Sequence, residues 1–156
     1  MNKAIEADFL PGNTEVSFSL SDLSGHPSFS ATRRVLVVDN DRNVTQLIKV
    51  LLERRGGYRV LEENDSNKAH QTAREFRPDV ILLDIVMPET DGGEVAARIE
   101  NDSSLQGTPI IFLTALVTNA EAKSGLKIQG HSFVAKPIGI PDLVEAINKH
   151  LLAQRS

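Results

Sequence analysis

The chain has 156 residues, no cysteine and a formal net charge of −4. This length suits one domain with an ordinary core. The lack of cysteine excludes disulfide frameworks, thiol nucleophiles and zinc–cysteine sites, and the scattered basic residues give no nucleic-acid footprint. No apolar run approaches the roughly 18 residues of a membrane span, and no secretory signal core is visible, so we expect a cytoplasmic protein. The histidines lack metal-ligand spacing and are interpreted as surface residues: His26, His70, His131 and His150.

Residues 1–32 differ in composition from the rest of the chain. They are rich in Ser, Thr, Gly and Pro, a composition that cannot bury enough apolar surface to fold alone. Within them Val16, Phe18 and Leu20 alternate with serines at a period of two. Either a flexible arm with a chance alternation or a strand-like docking segment fits this pattern. We expect an N-terminal arm, then one domain over residues 33–153, and no output domain.

Five short apolar stretches alternate with helix-like segments from residue 33 onward. The predicted strands cover residues 34–39, 58–62, 109–114 and 132–137, and a run from residue 80 that ends at or near Asp84, before Pro88. This alternation indicates right-handed βαβ units and a parallel sheet with helices on both faces. The expected fold class is α/β, a doubly wound five-stranded parallel sheet of the flavodoxin-like (βα)5 type with strand order 2-1-3-4-5.

The intervening helices carry end signals and apolar stripes. Asp41 suits the N-cap of the first helix and Ser66 that of the second. The fourth helix, residues 119–127, is weak because Gly125 interrupts it, and Pro141 suits the first turn of the last. The inner faces are assigned to Val44, Leu47, Ile48 and Leu51 in the first helix, Ala69, Ala73 and Phe76 in the second, Val95, Ala96 and Ile99 in the third, and Leu143, Val144, Ile147 and Leu151 in the last.

Polar residues stand at the ends of four predicted strands. They are Asp39 after the first strand, Asp84 after the apolar run of the third, Thr114 after the fourth and Lys136 after the fifth. In a parallel sheet these ends share one edge. Two carboxylates at one site require a cation or a proton between them, and oxygen ligands favour a hard ion such as Mg²⁺. Such a set can hold a phosphoryl group against a carboxylate nucleophile.

Each of these residues, taken alone, also has a structural explanation. An aspartate after a strand often caps a helix, as Asp39 and Asp41 are placed to do, and a threonine at a strand end is usually structural. Asp84 is harder to dismiss, because an unsatisfied carboxylate beside a buried strand costs on the order of several kcal/mol. The joint placement at four strand ends favours a functional site.

The chain resembles a stand-alone response-regulator receiver domain, the phospho-acceptor module of two-component signalling. The resemblance rests on four motifs in order, VLVVDND at 35–41, LLDIVMPETDG at 82–92, PIIFLTA at 109–115 and FVAKP at 133–137. It implies a signalling switch and not an enzyme. The only reactions of such a switch are its own phosphorylation and slow dephosphorylation.

The resemblance also implies roles for individual residues. Asp84 would accept the phosphoryl group from a phosphohistidine, and Thr114 and Lys136 would contact the phosphoryl oxygens. Two residues fall at the family's switch positions. They are Thr114 and Phe133, of which Phe133 lies three residues before Lys136. The implied Mg²⁺ ligands are Asp39, Asn40, Asp84 and the backbone carbonyl of Val86.

Asn40 stands where the family usually has a second acid. An amide oxygen can ligate Mg²⁺, but a unit charge pair at ~4 Å and an effective dielectric of ~20 is worth about 4 kcal/mol before desolvation. Weaker metal binding is therefore expected. Phe133 has no hydroxyl with which to hydrogen-bond. Val86 and Leu116 are apolar, and in such receivers these two positions flank the path of the attacking water. We expect a long-lived phosphorylated state.

The expected mechanism is a switch. Phosphorylation draws Thr114 toward the new oxygens, Phe133 turns inward, and the face of the fourth helix, fifth strand and fifth helix changes its partner preference. The expected partners are a sensor histidine kinase or histidine phosphotransfer protein, an effector protein, or a second copy of the chain through that face. Direct contact with nucleic acid or a membrane is not expected.

Two other interpretations stay open. A haloacid-dehalogenase-type phosphohydrolase would use residues 39–41, but Val44 stands where that family has a Thr, Asp84 would have no role, and no acidic pair follows a strand after Lys136. The second interpretation is a phosphorylation-silent pseudo-receiver adaptor. Its main support is Asn40 in place of an acid.

Overall fold

The structure, a computed structural model, describes residues 32–125 and 127–153. Residues 1–31 of the predicted N-terminal arm lie outside these residues, and with them the alternation of Val16, Phe18 and Leu20 and His26.

Five parallel strands form one sheet. They are β1 (Arg33–Val38), β2 (Tyr58–Glu63), β3 (Val80–Asp84), β4 (Ile110–Thr114) and β5 (Ser132–Ala135). Their order is β2-β1-β3-β4-β5, and every pair is parallel. All residues of β3 and β4 are buried, as central strands covered on both faces require. The predicted fold class and strand order are confirmed, and β3 ends at Asp84, the residue predicted at or near its carboxyl end.

Helices cover both faces of the sheet. They are α1 (Arg42–Arg55), α2 (Ala69–Phe76), α3 (Gly92–Glu100), α4 (Asn119–Lys123) and α5 (Ile140–Ala153). Helices α1 and α5 share one buried core with the sheet, while α2 and α3 share the other. The predicted inner faces of α3 and α5 are buried throughout. Within the described part of the chain, no helix is both long and apolar enough to cross a membrane.

Helix α1 confirms one prediction and corrects another. The Asp41 side chain accepts a hydrogen bond from the Asn43 backbone N–H, which confirms the N-cap. The predicted inner stripe is wrong at Leu47, which is 52% exposed. The buried residues of α1 are Thr45, Ile48 and Leu52. Apolar residues occur around most of this helix, so spacing alone did not identify the buried side.

Two other helix predictions differ from the structure. Asp65 rather than Ser66 supplies the cap before α2, because its side chain accepts from the Asn67 backbone N–H at the start of a short 3₁₀ turn. Helix α4 ends at Lys123 instead of continuing to residue 127. The reason is Gly125, whose φ of +87° lies in the left-handed region and cannot extend a helix.

Candidate functional site

Asp84 is the last residue of β3 and is 5% exposed. Its Oδ1 accepts a hydrogen bond from the Val86 backbone N–H at 3.2 Å, which turns the chain out of the sheet. Burial raises the pKa of the Asp84 carboxyl, and the neighbouring charge of Asp39 raises it further. Both effects disfavour the charged carboxylate, so a cation beside Asp84 would stabilise it.

Asp39 directly follows β1 and is 1% exposed. Its Oδ1 accepts from the Asp41 backbone N–H at 2.9 Å, and its Oδ2 accepts from the Lys136 ammonium at 2.7 Å. The same Nζ of Lys136 lies 3.6 Å from Asp84 Oδ2. One ammonium therefore stands between both carboxylates, and it is bonded to Asp39 rather than to Asp84.

Thr114 ends β4 and is 1% exposed. Its Oγ1 accepts from the Leu116 backbone N–H at 3.0 Å, so its own hydrogen remains to be donated. Asp84 is in register with Leu113, which places Thr114 one residue farther toward the same edge. The structure thus brings Asp39, Asp84, Thr114 and Lys136 to one edge of the sheet, as the strand ends predict.

The remaining predicted metal ligands sit at the rim of this edge. Asn40 and Val86 are both exposed, and Asp41 is engaged as the cap of α1. In the described ranges, no group of three or more Asp, Glu, His or Cys side chains could hold a metal ion. The donors at this edge are two carboxylates, an amide and a backbone carbonyl. An all-oxygen set around unneutralised negative charge fits a hard cation such as Mg²⁺, with one acid fewer than usual.

A shallow groove of about 520 Å³ opens beside Asp84. It is lined by residues 85–91 and by Leu116. Val86 is 58% exposed and Leu116 is 72% exposed, so both apolar side chains stand at the mouth of the site.

Phe133 lies in β5 and is 3% exposed. It is in register with Phe112 of β4 and belongs to the same buried core. The predicted switch turns this ring inward upon phosphorylation. The ring is buried in this structure, and the movement upon phosphorylation stays a prediction.

Sequence reasoning missed two polar features. The Asn64 side chain donates to the Asp39 backbone carbonyl at 2.8 Å. His131, read as a surface residue, contacts Glu100 of α3 and packs edge-on against Phe112 at 5.5 Å between ring centroids. A signal existed for Asn64, because it directly follows β2 and the rule that parallel strand ends share an edge applies there too. No local pattern connects His131 to Glu100.

Residues 35–148 match the sequence model of the response regulator receiver domain. The chain belongs to this family. The polar-differentiation response regulator DivK of Brucella anthropi is 32% identical over 117 residues, which cover 75% of this chain and 94% of DivK. The phosphate regulon transcriptional regulatory protein PhoB of Pseudomonas aeruginosa is 34% identical over 112 residues, or 72% of this chain. The receiver chain spans 48% of PhoB, about half of its length.

A solved structure gives the same assignment. The receiver domain of the sensor histidine kinase PA1611 from Pseudomonas aeruginosa PAO1 is 28% identical, with a TM-score of 0.63 over 78% of this chain and 98% of that one. That structure has a magnesium ion coordinated in its active-site cleft. Receiver domains are switches of two-component signalling, which histidine kinases or phosphotransfer proteins phosphorylate and which bind Mg²⁺ in the active site.

Proposed function

We propose that this receiver accepts a phosphoryl group on Asp84 from the phosphohistidine of a sensor kinase or phosphotransfer protein. The supporting observation is the unequal engagement of the two carboxylates. Both oxygens of Asp39 accept hydrogen bonds, at 2.9 and 2.7 Å. Oδ2 of Asp84 lies 3.6 Å from Lys136 Nζ, beyond hydrogen-bond distance, so the ammonium leaves it less engaged than the oxygens of Asp39.

The transfer forms a bond between Asp84 Oδ2 and phosphorus and breaks the phosphorus–nitrogen bond of the donor imidazole, which leaves with the electron pair. Lys136 then moves from Asp39 toward the incoming oxygens, a short movement because its Nζ already stands between both carboxylates. Thr114 donates its hydroxyl hydrogen to a phosphoryl oxygen. Both groups offset charge that the phosphoryl group brings.

The proposed Mg²⁺ ligands are Asp39, Asn40, Asp84 and the Val86 backbone carbonyl. When bound, the ion supplies a positive charge beside the phosphoryl oxygens. Since Asn40 contributes no charge, Lys136 offsets one of two negative charges. Beside three acids it would offset one of three.

The proposed output face consists of α4, β5 and α5. A groove of about 690 Å³ lies on this face, and Phe133 and Val134 are among its lining residues. The Lys136 backbone N–H donates to the Thr114 carbonyl at 2.8 Å, which links Thr114 to the end of β5. An effector protein or a second copy of the chain would read the change there.

The exposed apolar pair at the mouth supports a slow loss of the phosphoryl group. Neither Val86 nor Leu116 can orient an attacking water by hydrogen bonding. We expect Val86→Asn and Leu116→Asn to shorten the half-life of the acyl phosphate, while Leu152→Asn, which replaces an exposed leucine of α5, leaves it unchanged.

The deciding experiment is phosphorylation by acetyl phosphate with Mg²⁺, followed by mass mapping of the acyl phosphate. Label on Asp84 that disappears in Asp84→Asn supports the receiver mechanism. Asp39→Asn is the matched control, and it should retain label on Asp84 at a reduced rate. Label on Asp39 instead would support the phosphohydrolase alternative.

A second candidate function is a phosphorylation-silent adaptor. The observation in its favour is the donor set, in which two carboxylates share one ammonium and Asn40 replaces an acid. The absence of any label at high Mg²⁺ would support it.

The N-terminal arm, residues 1–32, is proposed to contact a partner in addition to the receiver domain at 33–153. Deletion of residues 1–31 should weaken partner binding while phosphorylation of Asp84 continues. Unchanged partner affinity would remove the arm from the mechanism.

A further inference from the structure

Asn64 reaches from the end of β2 to the loop between β1 and α1. Its Nδ2 donates to the Asp39 backbone carbonyl at 2.8 Å and to Thr45 Oγ1 at 3.0 Å. The orientation of the amide follows from its partner, since a carbonyl oxygen can only accept. One side chain thus joins the residue after β1 to the first turns of α1.

Thr45 completes this connection from within the core. It is fully buried, and its hydroxyl donates to Glu62 Oε1 at 2.7 Å while accepting from Asn64. The hydroxyl therefore uses its hydrogen and a lone pair in one network. Because Thr45 is buried, losing its bond to Glu62 or Asn64 would leave a desolvated hydroxyl with fewer partners, which favours the paired arrangement.

Asp39 is consequently anchored from two sides. On the β2 side, its backbone N–H donates to the Glu63 carbonyl at 3.2 Å and its carbonyl accepts from Asn64. On the β5 side, its carboxylate accepts from Lys136 at 2.7 Å. When Lys136 turns to a phosphoryl group, the β5 anchor is released. The β2 anchors then hold Asp39 in place.

We propose that Asn64 is a positioning residue for the Mg²⁺ end of the site, acting through Asp39 and the adjoining Asn40. The proposal rests on the proposed function above. Since Asn40 brings no charge, metal affinity depends strongly on the placement of Asp39. Partners that orient a metal ligand typically contribute about 10- to 100-fold in affinity, and the lower end suits a bond to the ligand's backbone.

The test uses the full chain and two pairs of variants. Asn64→Ala removes the anchor, and Asn67→Ala is the matched control at an exposed asparagine three residues away. Thr45→Val removes the hydroxyl at nearly constant volume, and Thr45→Ser keeps it. For each protein the Mg²⁺ dissociation constant is measured by calorimetry without phosphodonor, and the rate of acetyl phosphate labelling is measured against Mg²⁺ concentration.

We expect Asn64→Ala to raise the Mg²⁺ dissociation constant about tenfold. Its labelling rate at saturating Mg²⁺ should stay within about twofold of wild type, because the nucleophile is untouched. Thr45→Val should shift the constant in the same direction, Thr45→Ser should restore it, and Asn67→Ala should leave it unchanged.

A merely structural role for Asn64 would lower the melting temperature and leave the Mg²⁺ constant within twofold of wild type, which would overturn the proposal. Wild-type protein that binds Mg²⁺ and is labelled on Asp84, with unchanged constants in Asn64→Ala and Thr45→Val, refutes this proposal alone. Wild-type protein that neither binds Mg²⁺ nor is labelled refutes the proposed function as well.

Discussion

Lys136 and Asp39 form an ion pair across the edge of the sheet, with Nζ 2.7 Å from Oδ2. The two residues are 97 positions apart in the chain and follow β5 and β1. The pair is asymmetric, because the carboxylate is 1% exposed and the lysine side chain is 21% exposed. The lysine side chain therefore has more room to turn than the aspartate, and its ammonium lies within 4 Å of both carboxylates.

Lys136→Met should destabilise the protein in the absence of divalent cations. Removing one partner of a buried pair typically costs about 3–5 kcal/mol, and partial exposure of the lysine reduces the expected loss to roughly 2 kcal/mol. Urea unfolding with and without Mg²⁺ measures it, and Mg²⁺ should stabilise the variant more than wild type. Lys149→Met, at an exposed lysine of α5, is the control. Equal losses in both variants would contradict the assignment of Lys136 to the buried carboxylates.

Asp84→Asn should be more stable than wild type at pH 7 without divalent cations. Burial and the charge of Asp39 raise the pKa of Asp84 above its ordinary value of 3.8. A raised carboxyl pKa means that the folded state binds the proton more tightly, so wild-type stability falls as pH rises from 3.8 through the folded pKa. Denaturant midpoints measured against pH should differ at neutral pH and converge below about 3.8. A variant that is less stable at pH 7 would contradict this.

Asp102→Asn should have the opposite pH dependence. Hydrogen bonds from the Ser104 hydroxyl, from His70 and from the Ser104 backbone N–H lower the pKa of Asp102 from 3.8 to about 2. A lowered carboxyl pKa stabilises the fold above 3.8, and this contribution is lost as pH falls through about 2. The variant should be less stable than wild type at pH 5, with a difference that shrinks toward pH 2. Ser104→Ala should give a smaller version of the same curve, whereas a constant difference would exclude the charge as the cause.

Gly92→Ala and Gly93→Ala should differ sharply although the glycines are adjacent. A Cβ at Gly92 would lie 2.4 Å from the Asp84 carbonyl oxygen and 2.7 Å from Ile85 Cα, both backbone atoms. A Cβ at Gly93 would meet Gln129 Nε2 at 2.6 Å, the end of an exposed side chain that can turn away.

We expect Gly92→Ala to cost about 3 kcal/mol, because the backbone below Asp84 must shift. Gly93→Ala should change stability by less than about 1 kcal/mol, since alanine's helix propensity offsets the contact. Thermal unfolding of both variants measures this, and Gly92→Ala should also slow labelling of Asp84. Similar losses in both would mean that the loop after β3 adapts freely.

Much of the architecture follows from local patterns. Continuous apolar runs predict buried parallel strands, and their alternation with helices predicts a doubly wound sheet. The same reasoning places Asp39, Asp84, Thr114 and Lys136 at one edge, since parallel strands end together. Where apolar residues surround most of a helix, as in α1, the local pattern does not predict which side is buried. The spacing predicts Leu47 in the core, but the residue is exposed.

By itself, the sequence determined the strand order, the polar residues at each strand end and the family. Only the tertiary structure decided which of those residues pair. Lys136 bonds Asp39 instead of Asp84, Asn64 anchors Asp39, and Phe133 packs in one buried core with Phe112. The physical reason is that local sequence patterns do not resolve contacts between residues far apart in the chain. Periodicity and chain spacing locate a residue to within one strand end, whereas hydrogen bonds and ion pairs depend on differences of about 1 Å between elements far apart in the chain.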